Sequence, residues 1–237
     1  ISTHSSHIAI ETTFGNLRYF KRLPEGTECA VATSKVINLS DVFGDSDQTN
    51  KFVTRYLQST HCDLFFADAA ILVEGVAESM LLPHFIRSKF PELYQRYITI
   101  LGVNGRHAHR LSPLIEKLCL PTLVITDLDP AEKEGYHKSV VPKRGEGQIS
   151  GNYAIAKWLM KEKDIDKLVD YSEDKKEFSF ASPYRFSIRL AYQTPVKVDF
   201  EGEEKEAIPG TFEDCLIYTN YDLFKKIKVT DSGNLVE

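Results

Sequence analysis

Apolar and polar positions alternate loosely at the start of the chain and then gather into short apolar blocks separated by amphipathic stretches. Leu17, Tyr19, Val31 and the pair Val36-Ile37 predict short strands and turns within residues 13–45. Phe52, Val53, Tyr56 and Leu57 recur at helical spacing behind Ser46-Asp47-Gln48, which predicts a helix over 45–60. From residue 63 strand and helix patterns take turns. Ala69-Ala70-Ile71-Leu72-Val73 reads as a buried strand that stops at Glu74-Gly75. Residues 77–90 read as a helix carrying Met80, Leu81, Leu82, Phe85 and Ile86, bent or interrupted in its early part by Pro83. Residues 97–103 form a second strand ending in Asn104-Gly105. Residues 107–118 form a second helix, in which Pro113 is tolerable only near the first turn. Thr122-Leu123-Val124-Ile125-Thr126 is a third strand, and it runs into Asp127-Leu128-Asp129-Pro130. The order β-α-β-α-β implies an α/β fold with a mainly parallel sheet covered by helices.

Beyond this block, residues 131–151 are polar and glycine-bearing and read as a long loop. Residues 152–162 read as a helix with Trp158 and Leu159. Residues 164–179 are charged and read as a surface loop. Residues 185–200 alternate as a strand around Pro195, residues 201–209 form an acidic turn, and residues 211–227 close the chain as a helix. Segments 46–62 and 150–165 together suggest an added helical lobe. There is no internal repeat and no low-complexity tract.

Composition narrows the class. The 237 residues are 42% apolar and 27% charged, the balance of an ordinary globular chain rather than a disordered one. No apolar run reaches the ~18 residues a membrane span needs. The chain opens Ile-Ser-Thr-His-Ser, which is not a signal peptide and reads as the start of a piece cut from something longer. Cys29, Cys62, Cys119 and Cys215 are widely spaced and make no C-x-x-C pair, so a zinc knuckle and a disulfide framework are set aside and a reduced, cytoplasmic protein is expected. A net charge of −5 argues against a passive, charge-driven nucleic-acid coat. It leaves room for an enzyme whose carboxylates hold cations that supply the missing positive charge.

The candidate chemistry lies where the strands stop. Glu74 ends one strand and Glu78 follows four residues on, so both project from one face if a helix starts at Gly75. Asp127 and Asp129, two apart, share a face at the end of another strand. Open parallel sheets bind ligands outside the carboxyl ends of their strands, so the four acids are expected at one edge. Gathered there they repel and call for divalent cations with oxygen ligands, Mg²⁺ or Mn²⁺. Each piece also has a plain structural reading. A glutamate at a helix start suits the helix dipole, and Asp-x-Asp before Pro is a common turn.

The combination Ile71-Leu72-Val73-Glu74-Gly75-Val76-Ala77-Glu78 with Val124-Ile125-Thr126-Asp127-Leu128-Asp129 resembles the Toprim domain of topoisomerases, primases and related nucleases, over about residues 63–160. Ile1-Ser2-Thr3-His4-Ser5 is similar to the switch-histidine end of an ABC-type ATPase domain, Asn152 to Leu159 to a post-Toprim helix, and Gly210-Thr211-Phe212-Glu213-Asp214 to a C-terminal Glu-bearing motif. Together they resemble the OLD (overcoming lysogenization defect) family of nucleases, in its class with the longer C-terminal region. The resemblance implies residues 1–45 as the end of an ATPase domain and connector, 46–165 as the Toprim core with a helical insert, and 166–237 as strands and a helix completing a metal site. It implies a divalent-metal-dependent endonuclease nicking or cutting duplex DNA, with Glu74, Glu78, Asp127, Asp129 and Glu213 as metal ligands and Glu74, Asp127 and Asp129 as catalytic groups. Its cofactors would be two cations, Mg²⁺ or Mn²⁺, with Ca²⁺ as a crystal substitute. Partners implied are DNA, the ATPase domain of the same polypeptide, and a second copy through that domain. Its roles would be phage defence or DNA repair.

Two departures qualify the resemblance. No Gly-x-x-x-x-Gly-Lys-[Ser/Thr] occurs, so ATP belongs only to the domain expected ahead of this chain. The family's catalytic lysine has no recognisable counterpart among Lys225, Lys226 and Lys228, so it is expected beyond Glu237. Arg106 and Arg110, with His107 and His109, follow the second strand, and Lys143 and Arg144 lie in the long loop with Lys133 and Lys138. These are candidate contacts to DNA phosphate, against the reading of ordinary exposed cations. Two other functions fit the same residues. In a haloacid-dehalogenase-type phosphatase Asp127 would be the nucleophile and Asp129 the acid/base. A non-catalytic module would bind DNA or a partner for an ATPase.

Overall fold

Ala70, Ile71, Leu72 and Val73 are all buried, so this strand has no solvent face. A strand buried on both sides belongs inside a sheet with layers above and below. The computed structural model describes the chain apart from residues 6–7, 9–10, 12–15, 24–30, 41, 43–61, 104–106, 134–137, 182–183, 201, 226–227, 230–234 and 237. Its main strands are β1 (Arg18–Leu23), β2 (Thr33–Asn38), β3 (Ala69–Val73), β4 (Ile98–Gly102), β5 (Thr122–Ile125), β6 (Pro130–Ala131), β7 (Ile149–Ser150), β8 (Glu177–Phe180), β9 (Phe186–Ala191), β10 (Val196–Phe200) and β11 (Glu203–Ala207). The chain divides into two compact units, Ile1–Val124 with Glu177–Arg189, and Ile125–Lys176 with Leu190–Glu237.

The first unit is built on a mostly parallel five-stranded sheet of order β4-β3-β5-β9-β8. β3 and β4 are parallel, in register from Ala69 opposite Ile98 to Val73 opposite Gly102. The antiparallel pair β8–β9 closes the other edge. Parallel neighbours need a crossover, and the helix Val76–Lys89 supplies the one after β3. The helix Ser112–Leu118 follows β4 and buries Leu114, Ile115 and Leu118. It ends with Cys119 in the left-handed region, φ 48°. There the Lys21 ammonium donates to the carbonyls of Leu118 and Cys119 at 2.6 and 2.8 Å, satisfying acceptors a helix end leaves open. Lys21 comes from β1, which pairs antiparallel with β2.

In the second unit β6 pairs with β7 and β10 with β11, both antiparallel. The helix Phe212–Thr219 lies against β10. The core here includes Ile155, Leu168, Val169, Leu190 and Val198.

Several sequence expectations change. Residues 76–89 form one unbroken helix with Pro83 inside it. Residues 107–118 divide instead, into a 3-10 turn Ala108–Leu111 and the α-helix from Ser112. Pro113 has no N–H to give, so it sits in the first turn, where none is needed. The expected helix over 152–162 is a single π-turn, Ala154–Trp158, begun where the Asn152 side chain takes the Ala154 N–H at 2.9 Å. The expected loop 164–179 contains the helix Ile165–Asp170, capped by Asp164 on the Lys167 N–H, with Ile165, Leu168 and Val169 buried. Residues 185–200 are two strands in different sheets, β9 and β10, parted by the break before Pro195. The acidic turn is the exposed strand β11, whose ladder to β10 carries the Lys197–Glu204 ion pair. The closing helix divides into Phe212–Thr219 and Tyr221–Phe224. The helix foreseen over 45–60 lies outside the described residues.

Leu72 has no exposed surface, at the middle of β3. Leu72→Ala removes its contacts and leaves a cavity, an expected cost of about 2–5 kcal/mol in urea denaturation. A loss below about 1 kcal/mol would mean that this strand is not the centre of the core.

Candidate active site

In the first unit Glu74 follows Val73 directly and is half-buried, and Glu78 lies in the first turn of the helix Val76–Lys89. Glu78 is 2% exposed, and its Oε2 is buried with no hydrogen-bond partner. An unmet buried polar oxygen costs about 1–3 kcal/mol, more if charged. Gly75 makes its position available. The φ of Gly75 is −112°, ordinary for any residue, so no unusual turn calls for the glycine. A Cβ at residue 75 would collide with Oε2 of Glu78.

In the second unit burial alternates past the end of β5: Thr126 and Leu128 are buried, Asp127 and Asp129 half-exposed. The alternation carries the two aspartates to the side opposite Thr126 and Leu128. At Asp129 the backbone leaves the extended region, with φ 46°, a conformation that aspartate tolerates better than most residues. Its carbonyl accepts the Gly151 N–H at 2.9 Å, which helps hold the turn.

Both aspartate side chains are held by amides. The Asp127 Oδ1 accepts from the Gln193 Nε2 at 2.5 Å and from the Phe212 N–H at 3.0 Å. Phe212 is the first residue of the helix Phe212–Thr219, so Asp127 sits at that helix's positive end. Gln193 reaches it because the Thr126 N–H donates to the Ala191 carbonyl at 3.0 Å, which lays the end of β9 beside the chain leaving β5. The fully buried Asn152 donates its Nδ2 to the Thr126 Oγ1 at 2.8 Å and to the Asp129 Oδ2 at 3.4 Å. Neither Gln193 nor a role for Asn152 was legible in the sequence. Gln193 stands in the Tyr-Gln-Thr-Pro break after an alternating strand, and nothing local ties it to an aspartate so far away.

Glu213 is exposed, in the first turn of the same helix. The helix start is closed by a capping box in which Thr211 takes the Asp214 N–H and Asp214 takes the Thr211 N–H, both at 3.2 Å. Capping therefore does not need Glu213. Among the candidate cations, Arg106 lies outside the described residues. Arg110 is half-buried, and burial, then the Arg110 charge, lowers the pKa of His107. Lys143 is exposed. Arg144 is engaged by the Glu206 and Asp170 carboxylates at 2.6 and 2.8 Å, which raise its pKa further. Lys176 is 1% exposed, paired with Glu173 at 2.7 Å and stacked on the Tyr192 ring.

The second unit thus brings together Asp127, Asp129 and the start of the helix that bears Glu213. Glu74 and Glu78 belong to the first unit. Among the described residues no three His, Cys, Asp or Glu side chains stand close enough to hold a metal ion. Within the second unit the donor chemistry nevertheless suits one: two aspartates oriented by neutral amides. Oxygen donors of this kind match hard divalent cations.

A mostly parallel α/β sheet flanked by helices, with acids following β3 and β5, defines a Toprim-like domain. Residues 65–129 match the family model described as overcoming lysogenization defect protein-like, TOPRIM domain. Over these residues the chain is similar to the TOPRIM domain of this OLD-like family. It is also 28% identical over 235 residues to Endonuclease GajA of Bacillus cereus (strain HuB5-5), an alignment covering 93% of this chain. The chain spans 31% of that relative's length. Among the described residues no helix is long and apolar enough to cross a membrane.

Glu78→Met removes the unmet oxygen, a gain of about 1–3 kcal/mol, and forfeits a favourable helix-dipole contact of about 0.3–1 kcal/mol. The variant is expected to be more stable than wild type by about 1 kcal/mol in urea denaturation with EDTA present. A variant less stable by that amount would show that the Glu78 carboxylate is well satisfied without a cation.

Proposed function

We propose that this chain is the nuclease part of a divalent-metal-dependent DNA endonuclease. One observation carries the reading: Glu74, Glu78, Asp127 and Asp129 all fall within residues 65–129, the stretch that matches the TOPRIM family model. The similarity to a named endonuclease supports the same class. Glu74, Glu78, Asp127 and Asp129 are the proposed oxygen ligands, with Glu213 as a fifth. Bound cations would lower the pKa of a water and neutralise charge building on the scissile phosphate. Glu74, half-buried after β3, is the proposed acceptor of the water's proton. Hydrolysis adds the water oxygen to phosphorus as the P–O3′ bond breaks, and the leaving O3′ takes up a proton.

The wider setting is likewise proposed: two Mg²⁺ or Mn²⁺ ions, DNA as substrate, an ATPase domain in the same polypeptide, pairing of two copies through it, cytoplasmic location, and a role in phage defence or DNA repair. Lys143 and Arg110 remain the proposed phosphate contacts. Arg144 would have to leave two carboxylates to join them. Asp127 follows the third strand to enter the five-stranded sheet, and nothing in the fold favours the phosphatase reading.

Supercoiled plasmid incubated with the chain, and with a polypeptide extended at both ends, tests the proposal in Mg²⁺, Mn²⁺ and EDTA. Nicking by the extended polypeptide is expected with either metal and none in EDTA. Glu74→Ala and Asp127→Ala should each lower the rate about a hundredfold or more. Nicking that survives EDTA, or both substitutions, would overturn the metal-dependent reading. Metal binding with no cleavage by the extended polypeptide would leave a binding module.

A further inference from the structure

The proposed chemistry gives Gln193 no role, yet Gln193 is a buried carboxamide, 7% exposed, with both ends engaged. Its Oε1 accepts the Leu128 N–H at 2.8 Å, and its Nε2 donates to the Asp127 Oδ1 at 2.5 Å. We propose that Gln193 is a positioning residue that sets the Asp127 carboxylate for a divalent cation. The inference rests on the metal-dependent reading above.

The backbone fixes which way the amide faces. The Leu128 N–H can only donate, so the oxygen end of Gln193 must meet it, and the NH₂ end is left facing Asp127. A lone aspartate turns about two side-chain bonds. Two donors on one oxygen, Gln193 Nε2 and the Phe212 N–H, stop that rotation. Both donors are uncharged. A lysine or arginine in the place of Gln193 would also orient the carboxylate, but would cancel its charge and oppose a cation. A carboxamide orients it and leaves the charge in place. Asn152 stands to Asp129 in the same way, a buried amide donating to a carboxylate oxygen while its own oxygen takes the Ala154 N–H. Hydrogen-bond partners of metal ligands act in this manner, and losing one typically weakens binding about 10–100-fold.

The test is Mn²⁺ affinity by isothermal titration calorimetry, with melting temperature in EDTA measured beside it. Four proteins are compared: wild type, Gln193→Met, Gln193→Asn and Tyr192→Phe. Met keeps the length without the donor. Asn keeps an amide but falls one methylene short, and serves should the Met variant fail to fold. Tyr192→Phe is the structural control, since it removes the neighbouring buried hydrogen bond from the Tyr192 hydroxyl to the Leu168 carbonyl. Each Gln193 variant is expected to bind Mn²⁺ about tenfold more weakly. The control should lose melting temperature and bind Mn²⁺ as wild type does. Gln193 variants that bind within twofold of wild type would overturn the positioning role, as would a control that weakens binding equally. A wild-type chain that binds no Mn²⁺ would overturn the metal reading itself, and this inference with it.

Discussion

The parallel ladder between β3 and β4 limits the rest of the first unit. β3 is buried from Ala70 to Val73, so the chain can turn polar only by leaving the sheet. It does so at once, with Glu74. A parallel neighbour cannot be reached by a tight hairpin, so a crossover must start there, and the helix Val76–Lys89 begins two residues later. An acid at such a place is both the first side chain able to meet solvent and a resident of the strand end where α/β sheets bind ligands. Glu78 follows because the first turn of that helix folds back over Gly75.

The acids are held without a cation among the bonds described for them. Glu78 leaves an oxygen buried without a proton donor, a cost of about 1–3 kcal/mol that helix-dipole attraction of about 0.3–1 kcal/mol does not offset. Asp127 and Asp129 take hydrogen bonds from Gln193, Phe212 and Asn152, none of which carries charge. Elsewhere in the second unit the acids meet cations: Asp170 and Glu206 hold Arg144, and Glu173 holds Lys176.

The central sheet was legible because β3, β4 and β5 are short apolar runs with sharp ends, and local sequence records that directly. The places of Glu74 and Asp127 just past strand ends were legible for the same reason, since a strand's end is a local event. What local patterning missed was tertiary. The helix Ile165–Asp170 carries only two turns, and its buried Ile165, Leu168 and Val169 are diluted by four charged neighbours from Asp164 to Asp170. The strand β11 is nearly all charge, and its pairing with β10 rather than any apolar face makes it a strand. The π-turn at Ala154 follows from one buried side chain, Asn152, that competes with the backbone for an N–H. Gln193 could not be read at all, because its partner lies 66 residues away.

The start of the helix Phe212–Thr219 shows how a common local device is tied to the aspartates. A helix opens with N–H groups that need acceptors. Here Thr211 takes the Asp214 N–H, Asp214 takes those of Gly210 and Thr211, and the Phe212 N–H goes to Asp127. Thr211 and Asp214 would cap this helix wherever it lay. The bond from Phe212 is different, because it reaches across 85 residues to the loop after β5. It gives Asp127 a neutral donor and places the helix bearing Glu213 at the Asp-Leu-Asp segment. Glu213 is then left with no capping task and an exposed carboxylate. Dipole attraction suffices to explain a glutamate somewhere in this turn. The bond to Asp127 explains why the turn stands at the Asp-Leu-Asp segment.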